Sequence, residues 1–431
     1  MRKWLSLICI VCLALLATAL PRLRGQLPTE TRPLIEKKYG GWSGVLRLWV
    51  HEGWPAGSGS IAGWLNGCIA GFEKAHPGVY IQPEYVDAGT MAGLGDDGLL
   101  PPDLALFPPG LITTPRRLAP LSAVLPLRDS LADSGRVGDA LLAAPVLAGG
   151  YLWAYNAALT EAIPPTWRDT GLSIAAQADE PFRRWGAALL ALCSARYDEI
   201  GETDGPGPDS DAMDLGLSPG DATPTPAPTA APDAPALDCM LPEDFAFSEN
   251  AWRGFVNGEF AAIPVTQREI RRLEALSEQG RGVDWRLART GEGVFTDQLL
   301  FAAIVLPEEP SDAGAASRRA LGEAFIAQLL SDGCQGTLCR AGAFSVTDAA
   351  SGYAFGDALA EMDQALRAPG LAVPNAFDIR WREDADEIVR KFIDNSGAAS
   401  ALWRQFAGRL AEKHEHLSGQ RQNSACISSY I

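Results

Sequence analysis

The order of the first patterned segments constrains this chain more than any other feature. Val45-Leu-Arg-Leu-Trp-Val50 is apolar except at Arg47 and reads as a buried strand. Ile61, Trp64, Leu65, Cys68, Ile69 and Phe72 then recur at helical spacing until Pro77-Gly78 stops them. Residues 79–86 predict a second strand and 103–107 a third, with room for a short helix between them. Strand, helix, strand, short helix, strand is the order of a parallel α/β sheet, because parallel neighbours need a crossover that returns the chain to the same end. Gly63, Gly67 and Gly71 repeat every fourth residue on the helix and suggest a small face that lies close on the sheet.

Further along, the patterning predicts helices over 185–197, 248–257, 269–278, 318–331, 353–366 and 385–410, and strands over 150–155, 260–266 and 300–306. The second half is richer in helix than the first, and a two-lobed α/β protein follows.

The start of the chain bears on the compartment. Met1-Arg2-Lys3 is basic, residues 4–20 are uncharged and almost wholly apolar, and Ala17-Thr18-Ala19 precedes Pro21. Segment 1–25 therefore reads as an export signal or, if uncleaved, a membrane anchor. The remainder is expected outside the cytoplasm, on the outer face of the cytoplasmic membrane, in the periplasm or extracellular. Cys68, Cys193, Cys239, Cys334, Cys339 and Cys426 lie beyond this segment, an even number where disulfides are permitted. Six thiols allow about 15 connectivities, and sequence does not choose among them. Cys193 and Cys239 bracket one stretch and would staple its ends, or are simply small buried residues. Cys334 and Cys339 have neither a second cysteine pair nor a nearby His, so no metal site is expected.

The bracketed stretch, 201–237, holds eight Pro and six Asp, no basic residue and no apolar period. Such a composition buries too little apolar surface to offset chain entropy, and it reads as a disordered acidic insertion. The chain's net charge of −17 argues against nucleic acid as a partner. Thirteen Asp and Glu, with no Lys or Arg, fall between Arg196 and Arg253. The total charge thus describes the insertion and its edges, and a binding site elsewhere must be judged from its own residues.

Catalytic signatures are thin. Gly57-Ser-Gly59-Ser-Ile-Ala62 matches a dinucleotide pattern, but His51 to Ala56 separate it from the strand, which is too far for the tight turn that presents a helix end to a pyrophosphate. No G-x-S-x-G, H-E-x-x-H or S-x-x-K occurs, and His414 and His416 lie in the polar tail, 412–431. No enzyme, cofactor or metal is expected. Aromatic residues are the positive signal: eleven Trp lie beyond the export segment, several beside strand ends or turns, including Trp49, Trp54, Trp153, Trp252, Trp285 and Trp381. Indole faces stack on the apolar faces of sugar rings while neighbouring polar groups bond the hydroxyls.

The order of several motifs resembles the extracellular solute-binding proteins of ABC importers, in particular the large sugar-binding family that includes maltose-binding protein. The likeness runs over about 44–411. It rests on Val45-Leu-Arg-Leu-Trp-Val-His-Glu52, Ile69-Ala-Gly-Phe-Glu-Lys-Ala-His-Pro-Gly-Val79, Pro102-Asp-Leu-Ala-Leu106, Leu152-Trp-Ala-Tyr-Asn156, Ile163-Pro-Pro-Thr-Trp167, Phe255-Val-Asn-Gly-Glu-Phe-Ala-Ala262, and Ala324 to Asp332 with Gln335 and Gly342-Ala-Phe-Ser-Val346. The resemblance implies a type 2 periplasmic-binding-like α/β clamp: two lobes, each a sheet flanked by helices, joined by hinge segments crossing near 148–156, 292–306 and 340–348. Lobe 1 is then 40–150 with 295–340, and lobe 2 is 151–294 with 341–411. It implies a receptor that captures a small solute, a carbohydrate by the family's habit, for an ABC permease in the membrane, and that works as a monomer. The ligand-contacting positions it implies are His51, Glu52 and Trp54 after the first strand, Phe107 and Pro108 after the third, Tyr151 and Trp153 at the first crossing, and Trp381. The family's Gly-x-Trp after the residue matching Ala262 is replaced by Ile263-Pro-Val-Thr-Gln-Arg268, so Gln267 or Arg268 takes that place, and Phe344-Ser345 replaces a proline, with Phe344 at a further ligand-contacting position. A ligand sensor or diverged binding protein on the same clamp, and a secreted hydrolase, are the alternatives.

Overall fold

The computed structural model describes residues 42–94, 101–112, 115–162, 171–177, 246–248, 250–288, 296–307, 314–367, 371 and 373–378, with 387 and 391. The chain begins with β1 (Gly44–His51), α1 (Ile61–Ala75), β2 (Val79–Val86), α2 (Ala88–Ala92), β3 (Leu104–Phe107), β4 (Leu118–Ala119) and α3 (Asp129–Ala132). A small hairpin, β5 (Arg136–Val137) and β6 (Ala140–Leu141), leads to β7 (Ala144–Ala148) and β8 (Tyr151–Asn156). There follow β9 (Ala175–Gln177), β10 (Ala246–Ser248), α4 (Ala251–Val256), β11 (Ala262–Thr266), α5 (Gln267–Glu278) and β12 (Trp285–Ala288). The last elements are β13 (Leu299–Val305), α6 (Ala315–Leu329), α7 (Asp332–Gln335) and α8 (Ala358–Leu366).

The larger sheet has the order β2-β1-β3-β13-β4, with β7 also paired to β13. β1 is parallel to both β2 and β3, as the strand–helix–strand order predicts. β13 returns antiparallel to β3, β4 and β7. All seven residues of β13 are buried, consistent with a central strand covered on both faces. The second sheet is antiparallel, β11-β8-β12, and the middle strand β8 is buried along its whole length. Pro264 falls in β11, an edge strand of this sheet, where a missing N–H is tolerated.

α1 begins where Ser60 Oγ accepts from Gly63 N at 3.0 Å and ends before Pro77-Gly78. Its buried face is the predicted one: Ile61, Trp64, Leu65, Cys68, Ile69 and Phe72. The glycine face is not packed on the sheet. Gly63, Gly67 and Gly71 are exposed, and a Cβ at Gly67 would meet nothing within 4 Å. Apolar volume drives burial at about 25 cal/mol per Å², so the helix turns its large side chains inward and leaves the small stripe to solvent.

The strands predicted over 150–155, 260–266 and 300–306 correspond to β8, β11 and β13. The predicted helices 248–257, 269–278, 318–331 and 353–366 correspond to α4, α5, α6 and α8, α8 starting later because Asp357 caps it through Leu359 N. α5 starts at Gln267 because Thr266 and Glu269 form a capping box. The export segment, the acidic insertion, the predicted helix 185–197, the predicted helix 385–410 apart from Glu387 and Lys391, which are helical, the polar tail, the 163–167 motif, Trp381, Cys193, Cys239 and Cys426 lie outside the described residues. Among the described residues, no helix is long and apolar enough to cross a membrane.

Candidate binding cleft

Parallel pairing puts the carboxyl ends of β1 and β3 on one side of the larger sheet, where open α/β sheets bind ligands. The antiparallel register of β13 brings its start to the same side, with Phe301 opposite Phe107 and Leu299 opposite Ala148. A shallow, partly open cleft lies there, lined by His51, Trp54, Pro55, Pro108, Asp297 and Gln298, with Gly53 and Leu299.

One amide organises the cleft's inner wall. Gln267 is fully buried at the start of α5. Its Nε2 donates to Pro55 O at 2.6 Å and to Gln298 Oε1 at 2.8 Å, and its Oε1 accepts from Gly150 N at 3.1 Å. Both donor hydrogens are spent on the protein, so Gln267 holds the Trp54-Pro55 loop and the 296–298 segment in place. Gly149 N donates to Gln298 O at 2.6 Å and Thr296 Oγ1 to Gly149 O at 2.7 Å, closing the junction between the two passages of chain. Only glycine fits at Gly149: a Cβ would sit 2.5 Å from both Gln267 Nε2 and Gln298 Oε1.

Tyr151 OH donates to Asp297 Oδ1 at 2.7 Å. Burial first, then the neighbouring Asp297 carboxylate, pushes the Tyr151 hydroxyl well above its ordinary range and keeps it a neutral donor. Asp87, at the end of β2, accepts from Thr90 N at 2.7 Å. Its bonds to Thr90 hold its carboxyl below the usual value, and His51 is close enough to add to this.

The Gly57-Ser-Gly59 run has a packing role. It docks on a 3-10 turn, Leu338–Ala341, with Ser58 N donating to Ala341 O at 3.3 Å and Ser58 Oγ to Cys339 O at 3.3 Å. A Cβ at Gly59 would lie 2.3 Å from Arg340 O, and one at Gly342, whose φ is +62°, would lie 2.3 Å from Ser58 N. The glycines permit this close approach of two backbones.

The structure brings His51 and Trp54 to the cleft lining and places Gln267 and Tyr151 directly behind it. Glu52 is exposed beside the cleft, and Arg268 is exposed on the outer side of α5. Phe107 is fully buried between Phe301 and Phe377, each 6.1 Å away by ring centroid, and its neighbour Pro108 reaches the cleft instead. Trp153 is fully buried in the middle of β8, and Phe344 packs on Tyr353 at 5.3 Å while pairing with Ala148. Sequence reasoning missed Asp297 and Gln298. Their signal is a polar triplet, Thr296-Asp297-Gln298, set directly before the wholly apolar β13. Among the described residues, no group of three or more His, Cys, Asp or Glu is placed to hold a metal.

No protein-family model and no curated protein matches the chain. Solved structures do. A maltodextrin-binding protein from L. casei BL23, without ligand, superposes with a TM-score of 0.53 at 13% identity, over 86% of this chain and 98% of its own. A cyclic α-maltosyl-1,6-maltose-binding protein from Arthrobacter globiformis superposes with a TM-score of 0.50 at 14% identity, over 86% of this chain and 99% of its own. At such identity the likeness concerns the fold, and the chain accordingly has the mixed α/β, two-lobed fold of type 2 periplasmic-binding proteins.

Proposed function

We propose that this chain is a non-enzymatic, extracytoplasmic solute-binding receptor that captures a small carbohydrate and presents it to an ABC importer. The observation that carries this reading is the composition of the cleft at the carboxyl ends of β1 and β3. The Trp54 indole lines it beside His51, Asp297 and Gln298, which are nearly buried, so the surface it offers a ligand is mainly apolar. Stacking on an indole face suits a ring that is apolar on its faces and hydroxylated at its rim. The indole N–H of Trp54 is shielded from solvent and has no acceptor among the described residues. A ligand oxygen reached on opening of the clamp would supply one. The two solved relatives named above bind maltodextrin and a cyclic maltosyl-maltose, which agrees with this class of ligand.

The lobes in this reading are 40–150 with 295–340 and 151–294 with 341–411. In support, the chain leaves β7 for β8 through Gly149-Gly150 and returns at 296–298. Closure of one lobe on the other would convert ligand contact into a shape that a permease reads. Titration calorimetry of the full chain against mono- and oligosaccharides, with amino acids and polyamines as the contrasting panel, tests the reading. Saturable heat with a sugar is expected, and silence toward every sugar removes it. A ligand sensor on the same clamp is the second reading, favoured by Gln267, whose donors bond only the protein where the family carries a stacking residue.

A further inference from the structure

Cys68 and Cys334 lie far apart in sequence and meet in the fold. Cys68 is on the inner face of α1 and Cys334 is in the short helix α7; both are buried, at 4% and 6% exposure. The two thiols are neighbours across the contact between α1 and α7. One turn before Cys68, Trp64 Nε1 donates to Cys334 O at 2.9 Å and fixes α7 against α1. Gln328 Nε2, from α6, points at Cys334 Sγ from 3.7 Å, and Ser331 Oγ accepts from Cys334 N at 3.4 Å. The pair is thus held from three elements, with no acidic or basic side chain among these contacts. We propose that Cys68 and Cys334 form a disulfide in the exported protein, a covalent link between α1 and the segment that carries the 3-10 turn.

The chemistry is thiol–disulfide exchange with a donor disulfide of an oxidising compartment, a small-molecule disulfide or the disulfide of a thiol oxidase. The Cys334 thiolate attacks one donor sulfur, the donor S–S bond breaks, and the other donor sulfur leaves as a thiolate. The Cys68 thiolate then attacks the Cys334 sulfur, the mixed disulfide breaks, and the Cys68–Cys334 bond forms. Two electrons pass to the donor, and the two cysteine protons end on the two donor thiols. Either thiol can make the first attack, and the same products result. Because both sulfurs are buried in the folded chain, the exchange belongs to folding, before α7 closes on α1.

The link would have a consequence for the cleft. α1 follows directly from the loop that carries Trp54, and that loop docks through Gly57 N and Ser58 N on the carbonyls of Gly342 and Ala341, both at 3.3 Å. A bond from Cys68 to Cys334 therefore fixes both sides of that contact, whatever solute the cleft takes.

The test is a non-reduced digest. The full chain is expressed for export, denatured with an alkylating agent and no reductant, digested, and read by mass spectrometry. The expected result is a linked peptide pair containing Cys68 and Cys334. Recovery of both as alkylated thiols, or of either one linked to Cys193, Cys239, Cys339 or Cys426, overturns the proposal. A second measurement does not depend on the digest. Reduction should lower the melting temperature of the native chain by about 5 °C more than that of the Cys68→Ser, Cys334→Ser double variant. An equal shift in both would overturn it as well.

Discussion

The Tyr151 hydroxyl donates a 2.7 Å hydrogen bond to Asp297 Oδ1, tying β8 of the smaller sheet to the segment from which β13 of the larger sheet starts. The two residues belong to opposite passages of the chain between the sheets, and the bond is formed out of water. Burial raises the tyrosine well above its ordinary value of 10.0. The folded state therefore keeps a proton that the unfolded chain releases above about pH 10, so stability is untouched below that pH and falls as pH rises beyond it. Chemical unfolding followed from about pH 9 to 11.5 should show the native chain losing about 1.4 kcal/mol per pH unit more than Tyr151→Phe. Parallel curves for the two proteins would show that the hydroxyl is not held neutral.

Gln267→Leu keeps the volume of the side chain and removes three hydrogen bonds, to Pro55 O, Gln298 Oε1 and from Gly150 N. At roughly 0.5–1.5 kcal/mol for each bond, a loss of about 2–4 kcal/mol in unfolding free energy is expected. The Pro55 carbonyl would also lose its anchor. Faster amide exchange at 53–58 with an unchanged rate in β8 is the accompanying signature.

Two glycines with positive φ should respond differently to alanine. At Gly342, φ is +62° and a Cβ would sit 2.3 Å from Ser58 N and 2.4 Å from Gly57 Cα, so backbone must move. At Gly53, φ is +89° and nothing lies within 4 Å. Gly53→Ala should cost about 1 kcal/mol, the conformational penalty alone, and Gly342→Ala more than twice that. Equal midpoints in a thermal melt would contradict the docking of the glycine run on the 3-10 turn.

Trp54 is half-buried and packs beside the core while lining the cleft. Trp54→Ala should weaken solute binding by about 1–3 kcal/mol, read by calorimetry, with the cooperative unfolding transition retained. The contrasting variant is Trp153→Ala. Its indole is fully buried in the centre of β8, so a loss of about 3–5 kcal/mol of stability is expected from the cavity.

Buried aromatics show where reading along the chain reached its end. Phe107 and Phe344 sit in sequence where the resemblance expects ligand contacts, yet both side chains turn into the core. A strand's alternation gives two faces and does not say which one meets the partner sheet. The same ambiguity reversed the glycine face of α1, since a helical period states which residues share a side and not what covers it. His51 and Trp54 could be anticipated because His51 ends β1 and Trp54 follows it closely, a short distance in which the chain has little freedom.

Local pattern alone was enough for the strands β1, β2, β3, β8, β11 and β13, for the helices α1, α4, α5 and α6, and for the parallel start of the larger sheet, because apolar period and capping act within a few residues. Tertiary structure alone decided that Asp297 and Gln298 meet the Trp54 loop, that Gln267 bonds across the junction, and that Cys68 faces Cys334. Each of these joins residues from separate stretches of chain. Their meeting depends on the register of β13 and on the packing of α7 against α1, which long-range burial sets and no short stretch of sequence contains.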